Sequence, residues 1–367
     1  MILELLDSEK DINSFIRTCR LLHEDIFLQH LYRRNIQCSK SSALLWAVQE
    51  GRDITVRMML EEMNRLGLDK SWEGQLVCAA SYNYKSIVEI MLDMGANIDV
   101  VDEGIETDAL QIASHEGHVG IVKLLLERGA VIMPDKPCWT GNALRAALVK
   151  RKMPVFELLL EKGADVNAEV SDGESILQTA ALDGNEQAVK LLLERGAYIN
   201  ARSEEGAGSA LQAAITRGHK HVVDLLLNRG ANINVRGGHY GNALQTATAK
   251  EQKQTVELLL QKGARVNLQG GYYGTALQAA AAIGNEQLAT LLLDAGANLA
   301  IQSGVHGNAL LAGVKGKKKR IIKLLLDRGA RKLLGDRYDT ALRAAKENGD
   351  EDIVKLFNEG DMWGCGD

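Results

Sequence analysis

A Gly-Ala dipeptide returns along this chain at a nearly constant interval, and that interval limits the fold more than any other feature. Its glycines are separated by 34, 34, 33, 34, 33, 33 and 33 residues. They are Gly95, Gly129, Gly163, Gly196, Gly230, Gly263, Gly296 and Gly329. A fixed period of this length indicates a tandem array in which each copy is one small structural unit.

Each copy contains the pattern of two short helices. The first half reads A-L-Q-x-A and the second reads V-x-L-L-L-x-x-G-A, as in residues 122–130. Leucines and small residues spaced three and four apart give each helix one apolar face, which neither helix can bury alone. The leucine of the first half recurs ten times, from Leu44 to Leu342. The sequence therefore predicts about ten helix-turn-helix units.

The turn between the two helices carries a glycine in several units, such as Gly117 and Gly184. Glycine is suited to a helix end that requires a positive φ angle. Arg151, Glu251 and Lys317 replace this glycine. We expect each replacement to cost about 0.5 to 1 kcal/mol through backbone strain.

These motifs resemble the ankyrin repeat, whose units have this period and open with G-x-T-P-L-H-x-A. Here Thr-Pro is mostly replaced, and the form G-N-A-L-Q-x-A is similar to a variant common in fungal ankyrin proteins. The resemblance implies an all-α ankyrin repeat solenoid with hairpin loops over residues 41–360. A glutamine amide at the histidine position can donate and accept hydrogen bonds between neighbouring units. The glutamines are Gln111, Gln178, Gln212, Gln245 and Gln278.

Residues 1–40 lie outside the period and have helical spacing. They resemble the later part of an F-box: residues 6–12 match its Leu-Asp-x-x-Asp-Leu turn, Cys19-Arg20 its Cys/Ser-Arg step, and residues 31–33 its Leu-Trp-Arg ending. The family's opening Leu-Pro and most of its first helix are missing. The resemblance implies binding of a ubiquitin-ligase adaptor. The alternative is that these helices cap the apolar end of the array. Residues 361–367 are expected to form a short tail.

Composition limits the classes of partner and the compartment. The net charge of -5 and pI of about 6 argue against nucleic acid as a partner. The first residues lack a signal-peptide pattern, and no stretch reaches the ~18 apolar residues of a membrane span. Five scattered cysteines indicate reduced thiols in the cytosol or nucleus. We expect a cytoplasmic monomer. The basic run at residues 315–320 is either a solvated turn or a nuclear import signal.

No motif indicates an enzyme, a metal site or a cofactor. His115-Glu116-Gly117-His118 has its histidines three apart, across a turn, unlike the H-E-x-x-H zinc motif. Gly316-Lys317 is followed by lysine and has no glycine five residues earlier, so it does not match a phosphate-binding loop.

The hairpin tips carry an unusual concentration of aromatic side chains. Trp139, His239, Tyr272 and His306 are predicted to contact a partner, whereas Tyr240 and Tyr273 belong to a recurring G-G-x-Y-G loop and fit packing on the next hairpin equally well. Exposed long side chains would flank the same face at Arg202, Arg236, Gln269 and Gln302. The helix ends add Lys150, Arg217 and Lys250, so the groove is expected to be mildly basic and aromatic and to suit an acidic or polar peptide.

Two functions follow from these features. The first is a non-catalytic scaffold that binds a partner protein through the concave face of the array. The second is a substrate receptor of a cullin-type ubiquitin ligase, in which residues 1–40 bind the adaptor.

Overall fold

The computed structural model describes residues 42–67, 73–102, 106–132, 142–168, 173–203 and 206–359. Two compact units span residues 1–165 and 166–367. The F-box-like segment at residues 1–40, Trp139 and the tail at residues 361–367 lie outside the described residues.

The described part of the first unit contains eight helices in four pairs. They are α1 (Ser42–Gln49), α2 (Asp53–Arg65), α3 (Gln75–Ser81), α4 (Lys85–Asp93), α5 (Ala109–Glu116), α6 (Val119–Glu127), α7 (Ala143–Val149) and α8 (Met153–Glu161). Before α5, β1 (Val101–Asp102) pairs antiparallel with β2 (Thr107–Asp108), and Val101 lies opposite Asp108.

The described part of the second unit contains thirteen helices. They are α9 (Ile176–Asp183), α10 (Glu186–Glu194), α11 (Ala210–Arg217), α12 (Lys220–Asn228), α13 (Ala243–Ala249), α14 (Lys253–Gln261), α15 (Ala276–Ile283), α16 (Glu286–Asp294), α17 (Ala309–Lys315), α18 (Lys319–Asp327), α19 (Ala330–Leu334), α20 (Asp336–Glu347) and α21 (Glu351–Glu359). The short helix α19 lies between α18 and α20, at the position where the preceding described connections form hairpins.

The helices form ten antiparallel pairs, which confirms the predicted helix-turn-helix units. We call the first helix of each pair the inner helix and the second the outer helix. Within each unit, inner helices pack on inner helices of neighbouring pairs, and outer helices on outer helices. Each pair thereby buries the apolar face that it could not bury alone.

The recurring leucine of the inner helix forms the centre of this packing. In the first nine pairs this leucine is at most 2% exposed, from Leu44 to Leu310. Burial of each such side chain contributes about 1.5 to 3 kcal/mol. Leu342 in the last pair is half-buried, because no further pair covers it among the described residues. The last pair is instead closed by Tyr338, whose hydroxyl donates to the carbonyl of Phe357 at 3.0 Å.

The inner helices begin and end by local rules that the sequence shows. Seven of them start after a residue whose side chain accepts a hydrogen bond from the backbone N–H three positions on, as Asn142 does from Arg145 at 2.8 Å. Gly117 and Gly184 end theirs at φ values of 87° and 71°. Arg151, Glu251 and Lys317 adopt φ 55° at the same position, as predicted.

The glutamines at the histidine position join successive units. Within residues 166–367, Gln245 Nε2 donates to the carbonyl oxygens of Gly270 at 3.0 Å and Gly274 at 2.7 Å in the next hairpin. Gln212 Nε2 donates to Gly237 O at 2.8 Å, while its Oε1 accepts from the backbone N–H of Ser209 at 3.0 Å. The expected donor role between neighbouring units is confirmed, whereas the amide oxygen of Gln212 accepts within its own unit.

Candidate functional site

Within residues 166–367, the tips of successive hairpins lie side by side. Each hairpin closes with an isolated antiparallel pairing, such as Gly237 with Gly241 and Gly270 with Gly274. Successive tips are joined by backbone hydrogen bonds, from Tyr272 N–H to His239 O at 2.9 Å and from Val305 N–H to Tyr272 O at 3.1 Å. Side chains at equivalent tip positions therefore lie next to one another, as on adjacent strands.

These tips form a continuous cluster of rings, which we call the aromatic row: His239, Tyr240, Tyr272, Tyr273 and His306. The rings of His239 and Tyr272 stack with centroids 5.3 Å apart, and those of Tyr240 and Tyr273 stack at 6.4 Å. Edge contacts join His239 to Tyr240 at 4.8 Å and Tyr272 to Tyr273 at 5.0 Å. The ring centroid of His306 lies 6.2 Å from that of Tyr272 and 6.3 Å from that of Tyr273. Five residues predicted from three separate units thus meet in one surface.

The row has an exposed side and a packed side. Tyr272 is 44% exposed and His239 is also exposed, whereas Tyr240, Tyr273 and His306 are half-buried. Burial, and then the neighbouring Tyr240 and Tyr272, raise the pKa of Tyr273. Burial and then the charge of Lys315 lower the pKa of His306, which favours the neutral form of this ring. The two exposed rings present surface to solvent, and the three half-buried rings support them.

A groove with a volume of about 350 Å³ opens beside the row, and we call it the groove throughout. His239 and Tyr240 form one wall, and the ends of α11 and α13 contribute Arg217 and Lys250. Lys250 Nζ lies 5.3 Å from the centroid of the Tyr240 ring, within the range of a cation–π interaction. The expected basic and aromatic character is therefore present where the groove meets the row.

Sequence reasoning missed four other residues of the groove: Glu174, Leu182, Thr216 and Thr246. They come from three successive helix-turn-helix units, and no single column of the repeat pattern contains them all. The opening itself had a visible signal. The preceding hairpin tip carries Gly206 and Ala207, which line the groove, where later tips carry large rings. Small side chains at one tip leave room that the others fill.

The four predicted flanking residues lie in the segments that lead into the hairpins. Arg202, Arg236, Gln269 and Gln302 are all exposed. Arg202 Nη1 donates to Arg236 O at 3.3 Å, which links two neighbouring hairpins. None of the four is among the residues that line the groove. Trp139, predicted for the same face, lies outside the described residues.

The histidines of the inter-helix turns make structural contacts. His118 Nε2 lies 2.9 Å from Ser81 O, and His219 Nε2 lies 3.0 Å from Leu182 O, in each case in the neighbouring pair. Within the described residues, no group of three or more histidine, cysteine or acidic side chains is arranged to hold a metal ion.

The basic run at residues 315–320 crosses the turn between α17 and α18. Lys317 Nζ lies 3.5 Å from Asp350 Oδ2, and Lys319 forms an ion pair with Asp352. Two of its five cations are thus directed at the last helix pair. None of the helices in the described ranges has the length and apolar character needed to cross a membrane.

Comparison with known proteins agrees with this architecture. Residues 76–170, 146–237 and 177–270 match the family model described as ankyrin repeats in three copies, and residues 274–304 match the single ankyrin repeat. The first model alone covers more than half of the chain. The chain belongs to the ankyrin repeat family.

One solved structure with a similar fold is the ankyrin repeat domain of Bcl-3, described as a unique member of the IkappaB protein family. The TM-score is 0.52 and the identity 24%, over 59% of this chain and 96% of that domain. This likeness concerns the fold alone. A comparison with curated proteins gives no match. Ankyrin repeats generally mediate protein–protein interaction, and proteins built from them are typically non-catalytic scaffolds.

Proposed function

We propose that this protein is a non-catalytic scaffold that binds a partner protein through the aromatic row and the groove of the second unit. The observation that carries the proposal is Tyr272, a large ring that is 44% exposed and yet held by its neighbours. It stacks on His239, meets Tyr273 and His306 edge-on, and its backbone N–H is bonded to His239 O. Such a side chain loses little conformational entropy on binding.

The surroundings of Tyr272 favour a binding role over a purely structural one. Tyrosine is enriched at binding hot spots because it combines apolar area with a polar end. The backbone ladder already fixes the hairpins, and the half-buried Tyr240 and Tyr273 already pack between them. The exposed rings of His239 and Tyr272 add contact area that hairpin packing does not need.

Site-specific photo-crosslinking in a cell extract tests the proposal. A benzophenone amino acid is placed at Tyr272 in the intact chain and, as a matched control, at Tyr198. Tyr198 is 69% exposed and lies in the loop after the outer helix α10, away from the hairpin tips. We expect a discrete crosslinked protein from position 272 and none of the same size from 198. Equal crosslinking at both positions, or crosslinking at 198 alone, would refute binding at the row.

The affinity of the captured partner provides a second measurement. Tyr272→Ala is expected to weaken binding by about 2 kcal/mol, roughly thirtyfold, if this ring is a hot spot. Tyr198→Ala removes a comparable exposed ring and is expected to change affinity less than twofold. Circular dichroism of both variants checks that the helical content is unchanged.

A second function, substrate receptor of a cullin-type ubiquitin ligase, depends on the F-box-like residues 1–40. Its motivation is the sequence resemblance alone. Purification of the intact chain beside a version that starts at Ser41 separates the two functions. Recovery of a ligase adaptor only with the intact chain would make the row a substrate-selecting site, whereas identical partners would leave residues 1–40 a cap of the array.

We further propose a cytoplasmic monomer, with the nucleus as the alternative if residues 315–320 act as an import signal. Light scattering of the purified chain tests the oligomeric state. Localisation of a fluorescent fusion tests the compartment, with Lys315 and Lys318 changed to glutamine in the comparison variant. These two lysines are chosen because they leave the ion pairs of Lys317 and Lys319 in place.

A further inference from the structure

We propose that the segment bound by the groove is an acidic peptide, with one carboxylate seated between Arg217 and Lys250 and an apolar or aromatic side chain on Tyr272. This inference rests on the proposed scaffold function and specifies its ligand. It follows from the shape of the groove, the charges at its floor and the rings at its rim.

The shape of the groove suits side chains of an extended segment. The small tip of Gly206 and Ala207 stands before the bulky tip of His239 and Tyr240, so a step of about 350 Å³ opens between two adjacent hairpins. Protein pockets for small ligands begin at about 300 Å³, so this space accepts one or two side chains and not a folded element. An extended strand crossing the tips would place alternate side chains on this surface.

The charges that reach the groove are predominantly positive. Arg217 is the last residue of α11, Lys250 directly follows α13, and both are exposed. No ion pair within the described residues involves either side chain, while Glu174 is the only carboxylate among the residues that line the groove. Two cations and one carboxylate give the charged side chains of the lining a net positive charge. A guanidinium and an ammonium from adjacent helices suit a carboxylate, to which arginine can bind with two hydrogen bonds.

The rings at the rim of the groove determine where a second side chain of the peptide would lie. His239 lines the groove and its ring also stacks on Tyr272, with centroids 5.3 Å apart. Alternate residues of an extended peptide are about 6.6 Å apart. A peptide whose acidic residue lies beside His239 in the groove can therefore place the side chain two positions away over Tyr272. The expected ligand pattern is an acidic residue and an apolar or aromatic residue separated by one position.

Selection from a phage library of random twelve-residue peptides on the intact chain tests this inference. We expect enriched peptides to carry net negative charge and the acidic-x-apolar pattern. Synthetic copies of the enriched peptides are then titrated by fluorescence anisotropy. The double variant Arg217→Gln with Lys250→Gln is expected to weaken binding about tenfold, since exposed charge pairs contribute a few-fold each. Replacing the peptide's acidic residue by its amide should remove most of that difference.

A control uses two cations at the C-terminal ends of outer helices. Arg229 and Lys262 directly follow α12 and α14, the outer partners of α11 and α13. The double variant Arg229→Gln with Lys262→Gln changes net charge equally and is expected to alter affinity less than twofold. An equal loss in both double variants would refute a carboxylate site in the groove, because it would indicate long-range attraction only.

The remaining outcomes separate this inference from the proposed function. Enriched peptides without acidic bias, whose binding is lost in Tyr272→Ala, would refute the acidic ligand and leave the scaffold function intact. Binding that survives both the groove variant and Tyr272→Ala would refute the site altogether. Failure to enrich any peptide would refute recognition of a short segment, and crosslinking at position 272 would then decide on the scaffold function separately.

Discussion

Asp108 caps an inner helix with a carboxylate where six other units use a neutral residue, and its replacement by asparagine tests how these helices are stabilised. The residue is 3% exposed, and its Oδ1 accepts a hydrogen bond from the backbone N–H of Gln111 at 2.8 Å. Burial, with further repulsion from Asp99, raises the pKa of Asp108 from 3.8 to about 6, although the backbone bond from Gln111 opposes the shift.

The sign of the pH dependence follows from the direction of this shift. Because the folded-state pKa lies above the unfolded value, the folded protein binds the proton more tightly. The contribution of Asp108 to the free energy of unfolding is therefore highest below about pH 4 and falls as the pH rises to about 6, where the carboxylate becomes charged. A shift of about 2 units, at 1.36 kcal/mol per unit, gives a penalty of about 3 kcal/mol at neutral pH.

Asp108→Asn retains the hydrogen-bond acceptor and removes the charge. Asparagine already performs this role at positions 142, 242 and 308. We expect the variant to be more stable than the wild type by up to about 3 kcal/mol at pH 7, and the gain to disappear by about pH 4. Urea unfolding followed by circular dichroism measures the difference. Hydrogen exchange of the Gln111 amide measures it locally, since repeat arrays can unfold in segments.

Two further variants control this experiment. Asp53→Asn removes a charge from the exposed first turn of α2 and is expected to change stability by less than about 0.5 kcal/mol. Asn142→Asp introduces a carboxylate at the equivalent buried cap and is expected to destabilise the protein at neutral pH. A stability difference between Asp108→Asn and the wild type that stays constant from about pH 4 to pH 8 would refute the argument.

Three more predictions concern the turns, the glutamines and the last pair. Glu251→Gly is expected to be about 1 kcal/mol more stable than Glu251→Ala in urea unfolding. Both variants lose the hydrogen bond from Asn285 Nδ2, but only glycine relieves the backbone strain at φ 55°. Equal stability of the two variants would contradict this strain. Gln245→Leu should lower stability by about 2 kcal/mol, because carbonyls of the next hairpin lose their hydrogen-bond donor. Gln245→His should cost less, because a ring N–H replaces that donor. Thermal unfolding that ranks histidine no better than leucine would contradict the donor role of Gln245. Tyr338→Phe keeps the ring contact with Phe357 but loses the hydroxyl bond, so hydrogen exchange in α21 should accelerate by about fivefold, as for a loss of about 1 kcal/mol, with little change in α15.

The fold could be predicted from the sequence because each helix-turn-helix unit buries its apolar face against its nearest neighbours. The leucine of every inner helix recurs at the same interval, and in five units a glutamine follows it, so the packing requirement appears in the sequence as a period. The same logic predicted positive φ at Arg151, Glu251 and Lys317, since the turn geometry persists when glycine does not. The last pair departs from the period. There, residues 330–334 form a short helix in place of the hairpin, and the repeat pattern could not predict it.

The aromatic row was accessible to the same reasoning, but the groove was accessible only in part. His239, Tyr240, Tyr272, Tyr273 and His306 occupy equivalent tip positions, so alignment of the units brings them together. The groove forms where the side chains of one helix-turn-helix unit differ from those of its neighbours. It exists because Gly206 and Ala207 leave space beside His239, and because Glu174, Arg217 and Lys250 reach that space from three different pairs. A consensus pattern removes the deviations that create such a space.

Under the proposed function, the hairpins divide stability and recognition between different atoms of the same residues. Their backbone is fixed by Gln245 and Gln278 from below and by the tip-to-tip hydrogen bonds along the row. These contacts use main-chain carbonyls and N–H groups and place no demand on the tip side chains. A substitution at an exposed tip such as Tyr272 can therefore change the bound partner at a stability cost of about 1 kcal/mol, the value of its ring contacts. Loss of Gln245 would instead disturb the hairpin that presents Tyr272, so it should weaken partner binding without contacting the partner at all.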